Sequence, residues 1–131
     1  MPTFTYTILY VNDVKATLQF YKNAFGFAEK FITLEGDYGE LDTGATTLAF
    51  ANYSVAEYNG VAIQKVAAGD VPPPVEVAFV VDDVAEAFMT ATAAGAAAVT
   101  KPTQKPWGQT VAYVRDVNGF LVELCTSVKS V

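Results

Sequence analysis

The sequence contains no histidine, and only one of its 131 residues is a cysteine, Cys125. Without an imidazole, the chain lacks the usual general base near neutral pH and the commonest neutral metal ligand. Serine–histidine–aspartate groups, cysteine–histidine groups and histidine-rich zinc sites are therefore excluded. A single cysteine cannot form a disulfide within the chain, which favours a reducing compartment such as the cytoplasm.

Basic clusters and long apolar runs are also missing. The net charge is −6, with 8 basic against 14 acidic residues, so we expect no nucleic-acid partner. No apolar run approaches the ~20 residues of a membrane helix. The N-terminus shows no basic stretch followed by an apolar one, so no signal peptide is visible. We expect a cytoplasmic protein without a membrane partner, whose acidity suits a cationic ligand or simply solubility.

Apolar spacing predicts two helices and eight strands. Asp13 and Asp83 are typical N-cap residues, and Gly26 and Gly95 are expected to end the helices. The predicted strands are 5–11, 27–34, 38–41, 46–52, 75–81, 97–100, 109–115 and 120–126. Segment 53–74, which contains three consecutive prolines, is interpreted as a connection, and 101–108 as a loop.

The element order βαβββ occurs twice, which indicates an internal repeat. Asp13 and Asp83 lie 70 positions apart, and the turn glycines Gly44 and Gly119 lie 75 positions apart. The sequence therefore predicts an α+β fold in a single domain, 1–131. Repeat one spans 1–55, a linker spans 56–74, and repeat two spans 75–131.

The segments that carry a family resemblance are YVNDVKATLQFYKNAFGF, VAFVVDDVAEAF, PWGQTVAYVRDVNG and FLVEL. In this order, on a duplicated βαβββ frame, they resemble the vicinal-oxygen-chelate superfamily of glyoxalases, bleomycin-resistance proteins and dioxygenases. The resemblance implies that the repeats form an open curved sheet, an incomplete barrel, around a cleft. It also implies a homodimer.

Strand alternation predicts which side chains reach that cleft, because successive residues point to opposite faces. We expect the cleft to be lined by Tyr6, Tyr10, Leu48, Phe50, Glu76, Tyr113 and Glu123, with Trp107 in the loop before one cleft strand. The resemblance places the family's four metal ligands at Tyr6, Leu48, Glu76 and Glu123. Only Glu123 has the residue type usual there, so we expect no catalytic metal and no cofactor. Glu76 and Glu123 leave room only for a weakly held divalent cation.

Several roles stay open for these residues. Glu76 and Glu123 could act as acid and base, or could provide counter-charge for a cationic ligand. Alternatively, Glu76 lies in solvent and Glu123 bonds to Tyr6 or to backbone. Trp107 could cover a flat ligand, or could fill a barrel end or a dimer contact.

Three functions follow from these roles. The first is a protein that binds a small cationic or aromatic molecule without metal, resembling the bleomycin-resistance branch. The second is a glyoxalase-related lyase or isomerase that uses Glu123 as base or weak metal ligand; a dioxygenase is not expected. The third is a partner subunit with an empty cleft.

Overall fold

The computed structural model describes residues 1–128. The chain divides into two compact units, Met1–Lys65 and Val66–Val131. Each unit contains a four-stranded mixed sheet and the element order βαβββ, and the first unit has one additional short helix. The predicted α+β class and the duplicated βαβββ order are confirmed, and the sheets are open, as expected, with one four-stranded sheet in each unit.

The first unit is built on a sheet of strand order β1-β4-β3-β2. β1 and β4 are parallel, and the other neighbouring strands are antiparallel. Its elements are β1 (Tyr6–Val11), α1 (Val14–Phe25), β2 (Ala28–Ile32), β3 (Tyr38–Asp42), β4 (Thr47–Asn52) and α2 (Tyr53–Tyr58).

Helix α1 begins and ends where the sequence predicts. The Asp13 carboxylate accepts a hydrogen bond from the Ala16 N–H at 3.0 Å, and Gly26 ends the helix with φ 79°. The buried face of α1 packs on β3 and β4, where the Tyr21 and Phe50 ring centroids lie 4.8 Å apart.

The second unit repeats this plan with the strand order β5-β8-β7-β6, in which β5 and β8 are parallel. Its elements are β5 (Glu76–Val80), α3 (Val84–Ala93), β6 (Ala97–Gln104), β7 (Thr110–Arg115) and β8 (Leu121–Cys125). Asp83 caps α3 by accepting from the Glu86 N–H at 3.1 Å. We call the face of each sheet turned away from α1 or α3 its open face.

Two local predictions were wrong. The first six residues of the expected connection form helix α2, whose N-cap Asn52 accepts a hydrogen bond from the Ser54 N–H at 2.9 Å. β6 continues to Gln104 through the expected loop, because pairing with β7 resumes after register shifts that accommodate Pro102. Short-range propensity could not reveal this long-range pairing.

Part of the linker is fixed to the second unit by Arg115. Its guanidinium donates to the carbonyl oxygens of Gly119 at 2.9 Å and Ala67 at 3.3 Å, and also to that of Asp70. A Cβ at Gly119, which has φ 101°, would lie 2.8 Å from this guanidinium. Segment 67–70 is therefore held against the β7–β8 hairpin.

Among residues 1–128, no helix combines the length and hydropathy needed to cross a membrane; α1, the longest helix described, has 12 residues. The cytoplasmic location stays a prediction.

Candidate functional site

Glu76 on β5 and Glu123 on β8 lie on the same face of the second sheet. In the parallel ladder, Glu123 is paired with Ala78, and Ala78 lies two residues after Glu76. Side chains two residues apart share a face. The intervening residues Val122 and Leu124 are fully buried on the α3 side. The two carboxylates therefore meet on the open face, in the arrangement that strand alternation predicted.

These carboxylates share a hydrogen bond, and Tyr113 Oη donates a second one to Glu123 Oε1 at 2.9 Å. Partial desolvation, followed by the hydrogen bond and the charge of Glu123, raises the pKa of Glu76 from its ordinary 4.5 to about 7. Desolvation also acts to raise the pKa of Glu123. Hydrogen bonds from Glu76, Tyr113 and Cys125 outweigh it and lower that pKa. The pair consequently holds one proton on Glu76 and one negative charge on Glu123 when the pH is slightly below neutral.

The neighbouring Tyr113 and Cys125 stay protonated at neutral pH. Desolvation, followed by the Glu123 hydrogen bond and charge, raises the pKa of Tyr113 to about 12 and that of Cys125 to about 11. The buried Cys125 sulfur also lies 3.7 Å from the Phe79 carbonyl oxygen, an alternative acceptor for its single proton. A protonated, buried thiol is a poor nucleophile, so Cys125 packs and donates rather than reacts.

Trp107 connects to this group through Gln109, a residue that the sequence analysis missed. Trp107 is 56% exposed, and its indole N–H donates to Gln109 Oε1 at 2.9 Å. Gln109 Nε2 donates to the Thr126 carbonyl oxygen at 2.9 Å, and the Gln109 side chain also lowers the pKa of Cys125. Gln109 has the same parity as Tyr113, a signal that could have placed it in the site.

Of the residues predicted in the first unit, Tyr6 and Tyr10 lie on the open face of its own sheet. Tyr6 is 53% exposed and Tyr10 is half-buried. The phenol of Tyr6 contributes to raising the pKa of Tyr38, so these two side chains interact.

The predicted face of Leu48 and Phe50 was wrong. They pair with Thr7 and Leu9, and both point toward α1; Leu48 is 5% exposed and Phe50 fully buried. The error arose because the two turn glycines are not equivalent: β4 begins three residues after Gly44, whereas β8 begins two residues after Gly119, so aligning the glycines shifts β4 by one residue. A shift of one residue exchanges the two faces of a strand. The ladders instead match Glu123 with Ala49, because these residues pair with Ala78 and Ile8, respectively.

The open face of the first sheet also contains a buried carboxylate that the sequence analysis missed. Glu40 on β3 is 6% exposed, and its Oε2 accepts a hydrogen bond from Tyr38 Oη at 2.7 Å. Lys30 Nζ lies 3.9 Å from Glu40 Oε1. Both Tyr38 and Glu40 fall within a predicted strand, but alternation alone could not show that the acid would be buried.

Comparison with known proteins agrees with this architecture. The family model of the Glyoxalase/Bleomycin resistance protein/Dioxygenase superfamily matches residues 3–124. The chain belongs to this superfamily.

Individual similar proteins have low sequence identity to this chain. The YraH protein of Bacillus subtilis (strain 168) is 29% identical over 118 residues, which cover 88% of this chain and 91% of YraH. A glyoxalase-related enzyme from Fulvimarina pelagi superposes with a TM-score of 0.83 at 23% identity, covering 97% of this chain and 89% of that one. A family enzyme from Burkholderia phytofirmans PsJN gives a TM-score of 0.82 at 20% identity, covering 98% and 100%. The structural matches support the fold.

The residues at the positions that the resemblance assigns to metal ligands offer few ligand atoms. Within residues 1–128, no group of three or more histidine, cysteine, aspartate or glutamate residues is arranged to hold an ion. Glu76 and Glu123 share a proton-mediated hydrogen bond, and their counterparts in the first unit are Tyr6 and Ala49. The methyl group of Ala49 has no atom that can coordinate a metal, and the phenol of Tyr6 is a weak ligand because the ordinary pKa of a phenol is ~10.

Proposed function

We propose that this protein binds a small cationic molecule on the open face of its second sheet, without a catalytic metal. The observation that carries this proposal is the contact between Glu76 and Glu123, whose shared hydrogen bond leaves a net negative charge on an accessible sheet surface. An ammonium, amidinium or guanidinium group supplies both positive charge and N–H donors to this carboxylate.

The surrounding side chains favour a flat cationic ligand. Tyr113 orients Glu123 through its 2.9 Å hydrogen bond, so the carboxylate needs little reorganisation on binding. The exposed ring of Trp107 lies at the other end of the polar row formed by Gln109, Cys125 and Glu123. An aromatic ring near a carboxylate adds stacking and cation–π contacts for such a ligand.

Calorimetric titration with benzamidinium tests this proposal, with neutral benzamide as the matched probe. Glu123→Gln is expected to reduce benzamidinium affinity about tenfold, since a charge-assisted hydrogen bond is lost. The control Glu86→Gln removes the same charge from the first turn of α3 and is expected to leave the affinity within about twofold. Equal effects of the two variants, or equal affinity for benzamide, would contradict the proposal.

Divalent ions test the metal-free part. We expect Mg²⁺, Mn²⁺ and Zn²⁺ to leave the melting temperature unchanged, because an ion stabilises the folded protein only if it binds it. An increase in melting temperature that disappears in Glu76→Gln would show that the carboxylate pair holds a metal.

A second candidate function is a glyoxalase-related lyase or isomerase. It is favoured by one observation, the pKa of Glu76 near 7, which suits proton transfer next to a carbonyl. Because the pKa of Glu123 is lowered, Glu76 is the better base of the two, and Glu123 would stabilise its protonated form. Hydrogen–deuterium exchange at the carbons of hydroxyacetone, followed by NMR, tests this function. The exchange rate should rise through pH 7 and be lost in Glu76→Gln; exchange no faster than in buffer would exclude this function for the probe.

A further inference from the structure

We propose that the open face of the first sheet has a binding position of its own, at which Glu40 takes the primary ammonium group of an arylalkylamine. This proposal does not depend on the carboxylate pair of the second unit. It rests on the burial of Glu40, on the position of Lys30 and on the aromatic rings around them.

The hydration that Glu40 loses on burial is only partly replaced by hydrogen bonds within the protein. A carboxylate at 6% exposure needs hydrogen bonds or an opposite charge to offset lost hydration, and its two oxygens offer about four acceptor positions. Tyr38 fills one of these at Oε2. Lys30 Nζ, at 3.9 Å from Oε1, is beyond hydrogen-bonding distance.

Oε1 also remains reachable from the open face. Among residues 1–128, every fully buried side-chain oxygen or nitrogen has a hydrogen-bond partner. No described residue gives Glu40 Oε1 a hydrogen bond, so this atom must retain some contact with solvent. An incoming N–H donor can therefore approach it.

Lys30 acts as an internal substitute for the ligand. A register shift in the β2–β3 ladder between Glu29 and Phe31 places the bulge at Lys30, and the ammonium group approaches Glu40. Bulges of this kind redirect a side chain and are frequent next to binding sites. The Lys30 side chain is 56% exposed, so its ion pair is weak and a free ammonium group can replace it.

Aromatic rings define the rest of the ligand. Phe31 lies directly opposite Glu40 in the antiparallel ladder and is 43% exposed, and its ring centroid is 6.0 Å from that of Tyr38. Cross-strand neighbours of this kind have Cβ atoms about 5 Å apart. Tyr6, on the same face, adds a third and partly exposed ring. A cation held at Glu40 lies within reach of these rings, and an attached aryl group packs on them.

The test is calorimetric titration of the full chain with phenethylammonium, with neutral 2-phenylethanol as the matched probe. Glu40→Gln keeps the shape and the acceptor for Tyr38 but removes the charge, and is expected to reduce affinity about tenfold. Lys30→Met removes the internal competitor and is expected to increase affinity about threefold. The control Glu29→Gln removes an exposed acid from the same strand and should leave affinity within about twofold.

The direction in which Lys30→Met changes the phenethylammonium affinity tests the proposal even if Glu40→Gln folds poorly. Unchanged or weaker binding in Lys30→Met overturns the proposal, as does a Glu40→Gln variant that folds and binds like the original chain. Glu123→Gln separates this site from the proposed function, because it should leave phenethylammonium binding at Glu40 intact. If Glu123→Gln abolishes all binding of the probe, Glu40 does not bind it independently and the proposal is wrong.

Discussion

The charge state of the Glu76–Glu123 pair gives the most informative prediction, and Glu123→Gln is the perturbation that tests it. The pKa of Glu76 is raised to about 7 from its ordinary 4.5, first by partial desolvation and then by the hydrogen bond and charge of Glu123. The substitution removes the charge of Glu123 but leaves the desolvation. We therefore expect the pKa of Glu76 to fall by about one pH unit or more, while staying above its ordinary value.

NMR of protein labelled with ¹³C at the glutamate side-chain carboxyl carbons measures this directly. In the original chain, the resonance of Glu76 should titrate near pH 7, and in Glu123→Gln clearly below it. The control Glu86→Gln should leave the titration of Glu76 unchanged. A Glu76 resonance that titrates at the ordinary value in the original chain, or one that Glu123→Gln does not move, would refute the coupling between the two carboxylates.

The two carboxylates make the free energy of unfolding depend on pH in opposite directions. The folded protein holds the Glu76 proton between pH 4.5 and about 7, where the unfolded chain releases it. This contribution is complete below pH 4.5 and is lost as the pH rises through about 7. Because Glu76 is exposed, solvent screening limits it to about 1 kcal/mol. The lowered pKa of Glu123 contributes stability at pH values above its ordinary pKa, and this contribution is lost as the pH falls through the folded pKa. Urea unfolding at pH 5 and pH 8 should show the loss due to Glu76, and Glu123→Gln should reduce that loss.

Three further predictions concern the scaffold. Gly39→Ala should lower the free energy of unfolding in urea by about 1–3 kcal/mol, because the new Cβ would lie 2.6 Å from Leu18 Cδ1; an unchanged midpoint would mean that α1 does not pack this closely on β3. Phe50→Ala should cost about 3–5 kcal/mol, since the ring is fully buried against Tyr21. In the same assay, the control Leu34→Ala, at 99% exposure, should cost less than about 0.5 kcal/mol; equal costs would contradict the assigned faces. Light scattering after size exclusion should give the mass of a dimer, twice 14.0 kDa, because several large apolar side chains are exposed in the single chain; a monomer at all concentrations would contradict this.

Much of the architecture could be predicted because local signals were strong. Asp13 and Asp83 cap their helices as expected, and Gly26 ends α1 with positive φ. The alternation of β5 and β8 correctly placed Glu76 and Glu123 on one face. These features depend on short-range hydrogen bonds and on the two-residue period of a strand, both of which the sequence expresses directly.

The failures arose where the outcome depended on pairing between distant segments. Leu48 and Phe50 were assigned to the wrong face because the two turn glycines lie at different distances from the strand that follows them, which only the ladders reveal. Helix α2 and the extension of β6 also depend on packing and pairing beyond their own sequences.

The sequence by itself determined the duplicated βαβββ order, the caps, and the absence of any imidazole. The tertiary structure decided which acids become unusual. Glu76 acquires its raised pKa from desolvation and from Glu123, and Glu123 its lowered pKa from hydrogen bonds to Glu76, Tyr113 and Cys125, which tertiary folding brings together. Glu40 is buried in the folded sheet, where it pairs with Phe31 of β2. Desolvation and charge coupling depend on distances in space, which no local pattern of residues encodes.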